Sequence, residues 1–269
     1  MNQMNLKEKE KNSIYIIREM YAQEKNLALL WSMGKDSTVL LWLMLKAFFG
    51  EIPFPVVHID TTYKFPEMYK FRDYYAKEWG VNLIIKKNES ALRNGVSYDN
   101  TKATDVCHKL KTEPLKDFVR EHKLRGLFVG IRSDEHNIRA KEQVVSIRDK
   151  NFNWDYKNNI RQVGDIYKYS LQEGEHLRIH PIIEWTEEDI WIYIKSENIP
   201  VCELYFAKNG KRYRSLGCQP ITKSVNSMAT TVSEIISEID SSKETERSGR
   251  LQDKEDKLAM QKLRSLGYM

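Results

Sequence analysis

The chain has 269 residues, of which 41% are hydrophobic and 30% are charged, so it can bury a sizeable core. Its net charge of +5 is mildly basic, which suits either an anionic small molecule or a nucleic acid. No apolar run approaches the length of a membrane span, and residues 1–13 lack the apolar core of a signal peptide. Three cysteines without a Cys-x-x-Cys pair argue against a zinc ribbon and fit a reducing cytoplasm. We therefore expect a cytoplasmic protein that does not enter a membrane.

Strand-like and helix-like segments alternate along the first half of the chain. An amphipathic helix is predicted over residues 12–23, and the wholly apolar run 27–31 is typical of a strand buried on both faces. The same rhythm then predicts helices over 37–49, 65–79 and 115–122, and strands over 55–59, 81–85 and 127–129. Strands that alternate with helices indicate crossover connections and a parallel sheet. In such sheets ligands bind beyond the carboxyl ends of the strands.

The second half is less regular. We predict a strand over 178–183, a helix from Thr186 to about Asn198, and another helix over 224–239. Residues 241–257 are highly charged, and we expect this tail to stay mobile until a nucleotide or a partner orders it. The predicted fold is α/β, with an open doubly wound parallel sheet flanked by helices in a nucleotide-binding domain (1–215). A helical and flexible C-terminal extension (216–269) follows it.

The segment Ser32-Met33-Gly34-Lys35-Asp36-Ser37 lies between a buried strand and a helix. A helix N-terminus offers unpaired N–H groups and a partial positive charge, glycine lets the backbone approach a ligand, and Lys35 adds a full charge. The spacing is not that of the Walker loop. Spacing alone supports a phosphate loop and an ordinary strand-to-helix turn about equally.

Two further polar clusters follow predicted strands. The stretch from His58 to Tyr63 places Asp60 and Thr61 where they can meet a ribose, an adenine edge or a hydrated cation, although a solvated turn also explains its later residues. The stretch from Gly130 to Glu142 contains Arg132, which can place a planar fork of donors on a phosphate or sulfate. It also holds Arg139 and Lys141. For any single residue of that stretch a salt-bridged helix start is an equal explanation, but three polar clusters after three strands favour one common site.

The ordered series of motifs resembles the small, nucleotide-binding subunits of heterodimeric sulfate adenylyltransferases, a branch of the adenine-nucleotide α-hydrolase superfamily. The resemblance runs from about Leu27 to Tyr268. It is carried by residues 32–37, 58–69, 71–73, 104–105, 111–113, Arg132 with 134–135, 139–142, 148–149, 185–191, 216–218, 246–247 and 249–250. The segment between Leu204 and Arg214 looks shorter than the family norm, and Cys107-His108 is not part of the family pattern.

The resemblance implies that sulfate attacks the α-phosphorus of ATP, giving adenosine 5′-phosphosulfate and pyrophosphate. It also implies Mg²⁺ and a large partner subunit that hydrolyses GTP, with no role for nucleic acid or a membrane. The residues expected to take part in catalysis are Lys35, Arg132, Arg139 and Lys141. The residues expected to bind ATP are Ser32, Gly34, Lys35, Asp36, Ser37, Asp60, Thr61 and Gly130, with Asp36 also binding the metal ion.

Three alternatives remain open from the sequence. A phosphosulfate reductase needs a catalytic thiol, usually near the carboxyl end, and no cysteine follows Cys218. A thiolation enzyme acting on nucleic acid would favour a basic stripe or paired cysteines, which the balanced charge does not supply. A non-catalytic nucleotide sensor would keep the phosphate loop without needing Arg132 and Lys141.

Overall fold

The computed structural model describes residues 5–136, 139–154, 161–163, 166–241 and 246–249. Its helices are α1 Leu6–Gln23, α2 Lys35–Ala47, α3 Pro66–Glu78, α4 Glu89–Arg93, α5 Ala103–Cys107, α6 Glu113–Glu121, α7 Glu187–Glu197 and α8 Val232–Ser241. Its strands are β1 Leu27–Leu30, β2 Val56–Ile59, β3 Leu83–Lys86, β4 Gly126–Val129, β5 Val145–Arg148, β6 Arg161–Val163, β7 Ile166–Lys168, β8 His176–Ile179, β9 Lys211–Arg212 and β10 Val225–Asn226. A π-helical turn, His108–Thr112, joins α5 to α6, and short 3₁₀ turns span Arg139–Lys141, Glu203–Tyr205, Gln219–Ile221 and Glu246–Gly249.

Six strands form one sheet in the order β3-β2-β1-β4-β8-β5, and all neighbours are parallel except β5, which runs antiparallel to β8. The chain moves outward from β1 to β3 and then returns to place β4 on the other side of β1. The order of the strands therefore reverses between β1 and β4. In parallel sheets a ligand crevice forms at this point, outside the carboxyl ends of the strands.

Strand β1 is buried on both faces, as its apolar run predicts. Leu27 and Leu29 pack into the larger core with α1, α2, α3 and α7, whereas Ala28 and Leu30 pack into a second core with α6. Helices thus cover both faces of the sheet, and the doubly wound α/β prediction is confirmed. Among the described residues, no helix combines the length and apolarity needed to cross a membrane.

Several predicted boundaries were wrong for identifiable reasons. The strand predicted over 178–183 is β8, which ends at Ile179 because the chain turns through Pro181, a residue without an N–H for the ladder. The helix predicted over 224–239 begins only at Val232, because the Thr231 hydroxyl accepts the Glu234 N–H at 3.3 Å and caps it. The residues just before it form β10, which pairs with β9. The domain boundary after residue 215 stays a prediction.

Part of the charged tail differs from expectation. Glu246 and Arg247 are 7% and 8% exposed, so these two residues are packed against the rest of the protein rather than solvated. They belong to a short 3₁₀ turn. The remainder of the tail, 242–245 and 250–257, lies outside the described residues.

Candidate active site

The loop of residues 32–37 lies at the switch point, between the end of β1 and the start of α2. Met33 has a φ of +61°, and Gly34 is the N-cap of α2, where none of the described side chains caps the helix. The Ser32 N–H donates to the Ser37 hydroxyl at 3.2 Å, and the Lys35 N–H donates to the Tyr205 hydroxyl at 2.8 Å. Gly34, Asp36 and Ser37 line a cavity into which the positive end of α2 points. This arrangement suits an anion.

Gly130 brings the end of β4 against this loop. A Cβ on Gly130 would lie 2.8 Å from Ser37 Cα and 2.9 Å from Ser37 N, closer than real Cβ contacts allow. Only glycine therefore lets the end of β4 approach the first turn of α2 at this distance. Gly130 also lines the cavity, as its predicted binding role requires.

Lys35 and Arg132 lie behind the cavity wall and are buried almost completely, at 1% and 0% exposure. Arg132 pairs with Asp36, with Asp134 at 2.9 Å, and with Glu246, while Lys35 pairs with Asp36 at 3.0 Å and with Glu246. Burial lowers the pKa of Lys35, but Asp36 and Glu246 outweigh that effect and raise it above its ordinary value. Both cations therefore stay charged next to the loop.

Glu246 completes this network from the other end of the chain. Its carboxylate bridges the Lys35 ammonium and the Arg132 guanidinium, and all three side chains are buried. Burial raises the pKa of Glu246, yet Arg132 and Lys35 hold it well below its usual range. A buried charge is stable only when it is paired, so the three groups depend on one another.

A second ion-pair group lines the cavity. Glu135 binds Arg139 through one carboxylate oxygen and the Arg247 guanidinium through the other, the latter at 3.1 Å. Burial raises the pKa of Glu135, but Arg139 and Arg247 help to lower it to about 2. The Nε of Arg139 is buried and has no hydrogen-bond partner among the described residues, and Arg139 lines the cavity. An N–H donor in this position can be satisfied by a bound anion.

Of the predicted cluster after β2, His58 lines the cavity, whereas Asp60 and Thr61 do not. The Asp60 carboxylate accepts from the Thr62 N–H and the Tyr69 hydroxyl, both at 2.8 Å, and it lies outside the cavity lining. Thr61 contacts Cys218 instead. His58 does line the cavity, where its Nδ1–H donates to the Trp31 carbonyl at 3.1 Å. Burial, with Lys64 nearby, lowers the pKa of His58 to about 3, so its ring is neutral.

The cavity wall carries more positive than negative charge. Its charged residues are Asp36, Lys64, Lys111, Glu135, Arg139 and Arg247. Four of these six are cationic, so the field inside the cavity favours an anion. Lys64 and Lys111 lie on the wall with Cys107 and Cys218, in addition to the groups at the loop.

The predicted metal ligand, Asp36, lies on the cavity wall, and carboxylate oxygens are ligands that Mg²⁺ prefers. Its oxygens pair with Lys35 and Arg132, so a metal ion would share or replace these contacts. Within the described residues, no group of three or more His, Cys, Asp or Glu side chains is arranged as a metal site. The described residues therefore suit a cation that is held by one carboxylate together with the phosphates of a bound ligand.

Comparison with known proteins gives the family. The model of the phosphoadenosine phosphosulfate reductase domain matches residues 26–224. The sulfate adenylyltransferase subunit 2 of Saccharophagus degradans is 40% identical, and the alignment covers 98% of this chain and 97% of the relative. The subunit 2 of Sulfurimonas denitrificans is 39% identical over the same shares. The chain belongs to the sulfate adenylyltransferase subunit 2 family.

A solved structure supports the fold of this family member independently. The phosphoadenylyl-sulfate reductase of Candida auris superposes with a TM-score of 0.56, at 17% identity, over 84% of this chain and 98% of that one. At this level of identity the likeness is one of fold alone. It agrees with the mostly parallel sheet and its switch point.

Family membership does not by itself place the side chains, and the structure separates the predicted residues into three groups. Residues on the cavity wall are Ser32, Gly34, Asp36, Ser37, Gly130 and Arg139. Lys35 and Arg132 lie directly behind the wall, and Asp60 and Thr61 are buried beside it. Lys141 is exposed and outside the cavity lining.

Sequence reasoning assigned no role to Glu246 in this site. The resemblance to the family does include the pair 246–247, and this was the one signal that pointed to Glu246. Charge and spacing alone assign this residue to a solvated tail.

Proposed function

We propose that this chain transfers the adenylyl group of ATP to sulfate, giving adenosine 5′-phosphosulfate and pyrophosphate. The observation that carries the proposal is the phosphate-type loop at the switch point, in a chain that matches sulfate adenylyltransferase subunit 2 over almost its full length. In this reaction a sulfate oxygen attacks the α-phosphorus, a new P–O bond forms, and the bond to the β-phosphate oxygen breaks. No thiol takes part.

The loop is suited to holding the departing pyrophosphate. Ser32, Gly34 and Ser37 would contact the phosphates through hydroxyl and backbone groups, and Gly130 permits close approach of the second strand end. Lys35 and Arg132 lie behind them as fixed positive charges. Charges fixed where negative charge develops lower the barrier without reorganising during the reaction.

The acceptor anion has a separate set of cations. Arg139 and Arg247 face the cavity beside Glu135, and the Arg139 Nε has no partner within the part of the chain that the structure describes. A planar guanidinium suits an oxyanion such as sulfate. Lys141, exposed near this group, is assigned the lesser role of attracting anions towards the mouth. Asp60 and Thr61 are proposed to shape the nucleotide end of the cavity from behind the wall.

Mg²⁺ is part of the proposal. Asp36 would hold it together with phosphate oxygens, and the ion would neutralise charge on the pyrophosphate. The partner is also proposed, as a GTPase large subunit. The relatives are named subunit 2, which implies a second subunit, and the phosphate–sulfate anhydride is a high-energy product whose accumulation a second nucleotide can drive.

The test is to incubate the chain with ATP, Mg²⁺ and labelled sulfate, with and without a co-purified GTPase subunit and GTP. The expected result is adenosine 5′-phosphosulfate and pyrophosphate in equal amounts, increased by the GTPase. Formation of sulfite from phosphoadenosine phosphosulfate with a thiol reductant, and no product from sulfate, would identify a reductase instead. Release of pyrophosphate that does not depend on sulfate would indicate another acceptor.

A further inference from the structure

Two cysteines far apart in sequence lie on the same wall of the cavity. Cys107 ends helix α5, and Cys218 follows β9, where its backbone pairs with that of Lys64. Both side chains are buried, both line the cavity, and they pack in one small cluster with Ala103 and Ile221. The adenylyl transfer proposed above uses neither thiol, so their juxtaposition is not explained by it.

The side chain of Tyr98 packs against the cluster that holds both cysteines. Its hydroxyl lies 3.6 Å from the Cys107 sulfur. The Cys218 sulfur is 3.2 Å from the Thr61 hydroxyl. Cys107 and Cys218 therefore share one packed cluster on the cavity wall. A Cβ–S–S–Cβ linkage holds its Cβ atoms about 3.5–4.5 Å apart, so the linkage requires the two side chains to close up within this cluster.

The two thiols differ in chemical character. Burial raises the pKa of Cys218, but Lys64, Thr61, Tyr98 and Lys111 outweigh it and lower that pKa. Burial, followed by the neighbouring Cys218, raises the pKa of Cys107. A thiolate-prone sulfur beside a protonated one is the arrangement in which the first attacks an oxidant and the second resolves it.

We propose that Cys107 and Cys218 form an intramolecular disulfide when the protein meets a two-electron oxidant such as hydrogen peroxide. The Cys218 thiolate attacks a peroxide oxygen, the O–O bond breaks, and Cys218 sulfenic acid and hydroxide form. The Cys107 sulfur then attacks the Cys218 sulfur, the S–O bond breaks, and a second hydroxide leaves. With the two thiol protons the balance is two thiols and one peroxide giving one disulfide and two waters.

The disulfide would change the cavity, and this consequence rests on the proposed function. A bond between α5 and the segment after β9 would tie together two parts of the wall that also carries Lys64 and Lys111. We expect the oxidised protein to lose sulfate-dependent pyrophosphate release by at least about tenfold, which corresponds to roughly 1.4 kcal/mol, and to regain it on reduction.

The linkage is tested by oxidising the full-length protein with a few equivalents of hydrogen peroxide, alkylating the remaining thiols under denaturing conditions, and digesting without reductant. Trypsin cleaves after Lys102 and Lys109 and after Arg214 and Lys223, so the expected product joins residues 103–109 to residues 215–223. The product should be absent from Cys107→Ser and Cys218→Ser. It should persist in the control Cys202→Ser, because Cys202 is buried in the main core and burial raises its pKa to about 11.

Full alkylation of both cysteines after oxidation would overturn the proposal, as would cross-links only between molecules. The mass readout does not depend on enzymatic activity, so its failure is distinct from a failure of the proposed function. If the linked peptide forms and activity is unchanged, the effect on the cavity is refuted. Oxidant sensitivity that persists in Cys218→Ser, relative to its own reduced activity, would refute that effect as well.

Discussion

Replacing Glu246 by Gln tests whether the C-terminal segment is part of the site. The substitution keeps the size of the side chain but removes the charge that bridges Lys35 and Arg132, together with one of the two acceptor oxygens. Both cations are buried, so water screens the loss only weakly. Removing one partner of a buried ion pair costs about 3–5 kcal/mol, and an amide that keeps some hydrogen bonds places the variant near the lower value.

The same change should alter the ionisation of Lys35. Burial and Arg132 lower the pKa of Lys35, whereas Asp36 and Glu246 raise it. Attraction between unit charges about 4 Å apart is worth roughly 4 kcal/mol at an effective dielectric constant near 20, so the loss of Glu246 is large on this scale. In the wild type, where the pKa is raised, Lys35 stays charged into strongly alkaline solution. In Glu246→Gln it should lose its proton at lower pH, and the rate should fall there.

The assay is pyrophosphate release against pH, alongside unfolding in denaturant. Glu238→Gln is a matched control, because Glu238 pairs with buried Arg212 at 2.8 Å and neither residue lines the cavity. The control should lose stability and keep the wild-type pH profile. Glu246 does not hold the proton on Lys35 if the alkaline limb of Glu246→Gln coincides with that of the wild type, or if Glu238→Gln shifts it equally.

Further changes test other parts of the site. Lys35→Ala should stay folded and lose roughly 10²–10³-fold in the rate of pyrophosphate release, and near-normal turnover would remove the phosphate-loop assignment. Arg132→Lys should also be impaired in kinetics, because an ammonium cannot replace a guanidinium that contacts three carboxylates; normal rates would make the residue structural only. Because the pKa of Glu135 is lowered to about 2, its ionised carboxylate stabilises the fold above pH 4.5, and this stability should be lost as the pH falls towards 2. In Glu135→Gln the loss of stability between pH 4.5 and 2 should be smaller than in the wild type. Hydrogen exchange at residues 246–249 should be faster in Lys35→Ala than in the wild type, and equal rates would contradict the docking contact.

The sequence was most informative where structure depends on local pattern. The apolar run of β1, the glycine-containing loop and the apolar helix after it are contiguous, so their order alone indicates a strand end that meets a helix N-terminus. Polar residues after β4 could be assigned to the same edge because parallel strands share their direction. In the structure Gly130 does lie against Asp36 and Ser37, while the binding role of this loop stays a prediction.

The contacts that sequence reasoning missed are those between distant segments. Lys35 and Glu246 are 211 positions apart, and no periodicity links them. The edge strand β5 was missed for a related reason, since it pairs antiparallel with β8 and departs from the strand–helix alternation. Lys141 was grouped with Arg139 by spacing, but the short turn between them buries Arg139 and exposes Lys141.

The central claim is that ATP is cleaved between the α- and β-phosphates with sulfate as the acceptor. It is tested most directly by exchange of labelled pyrophosphate into ATP, run with the chain, Mg²⁺, adenosine 5′-phosphosulfate and unlabelled ATP. Label should enter ATP only when adenosine 5′-phosphosulfate is present, and Lys35→Ala should abolish most of the exchange. Exchange at the same rate without adenosine 5′-phosphosulfate, or full exchange by folded Lys35→Ala, would contradict it.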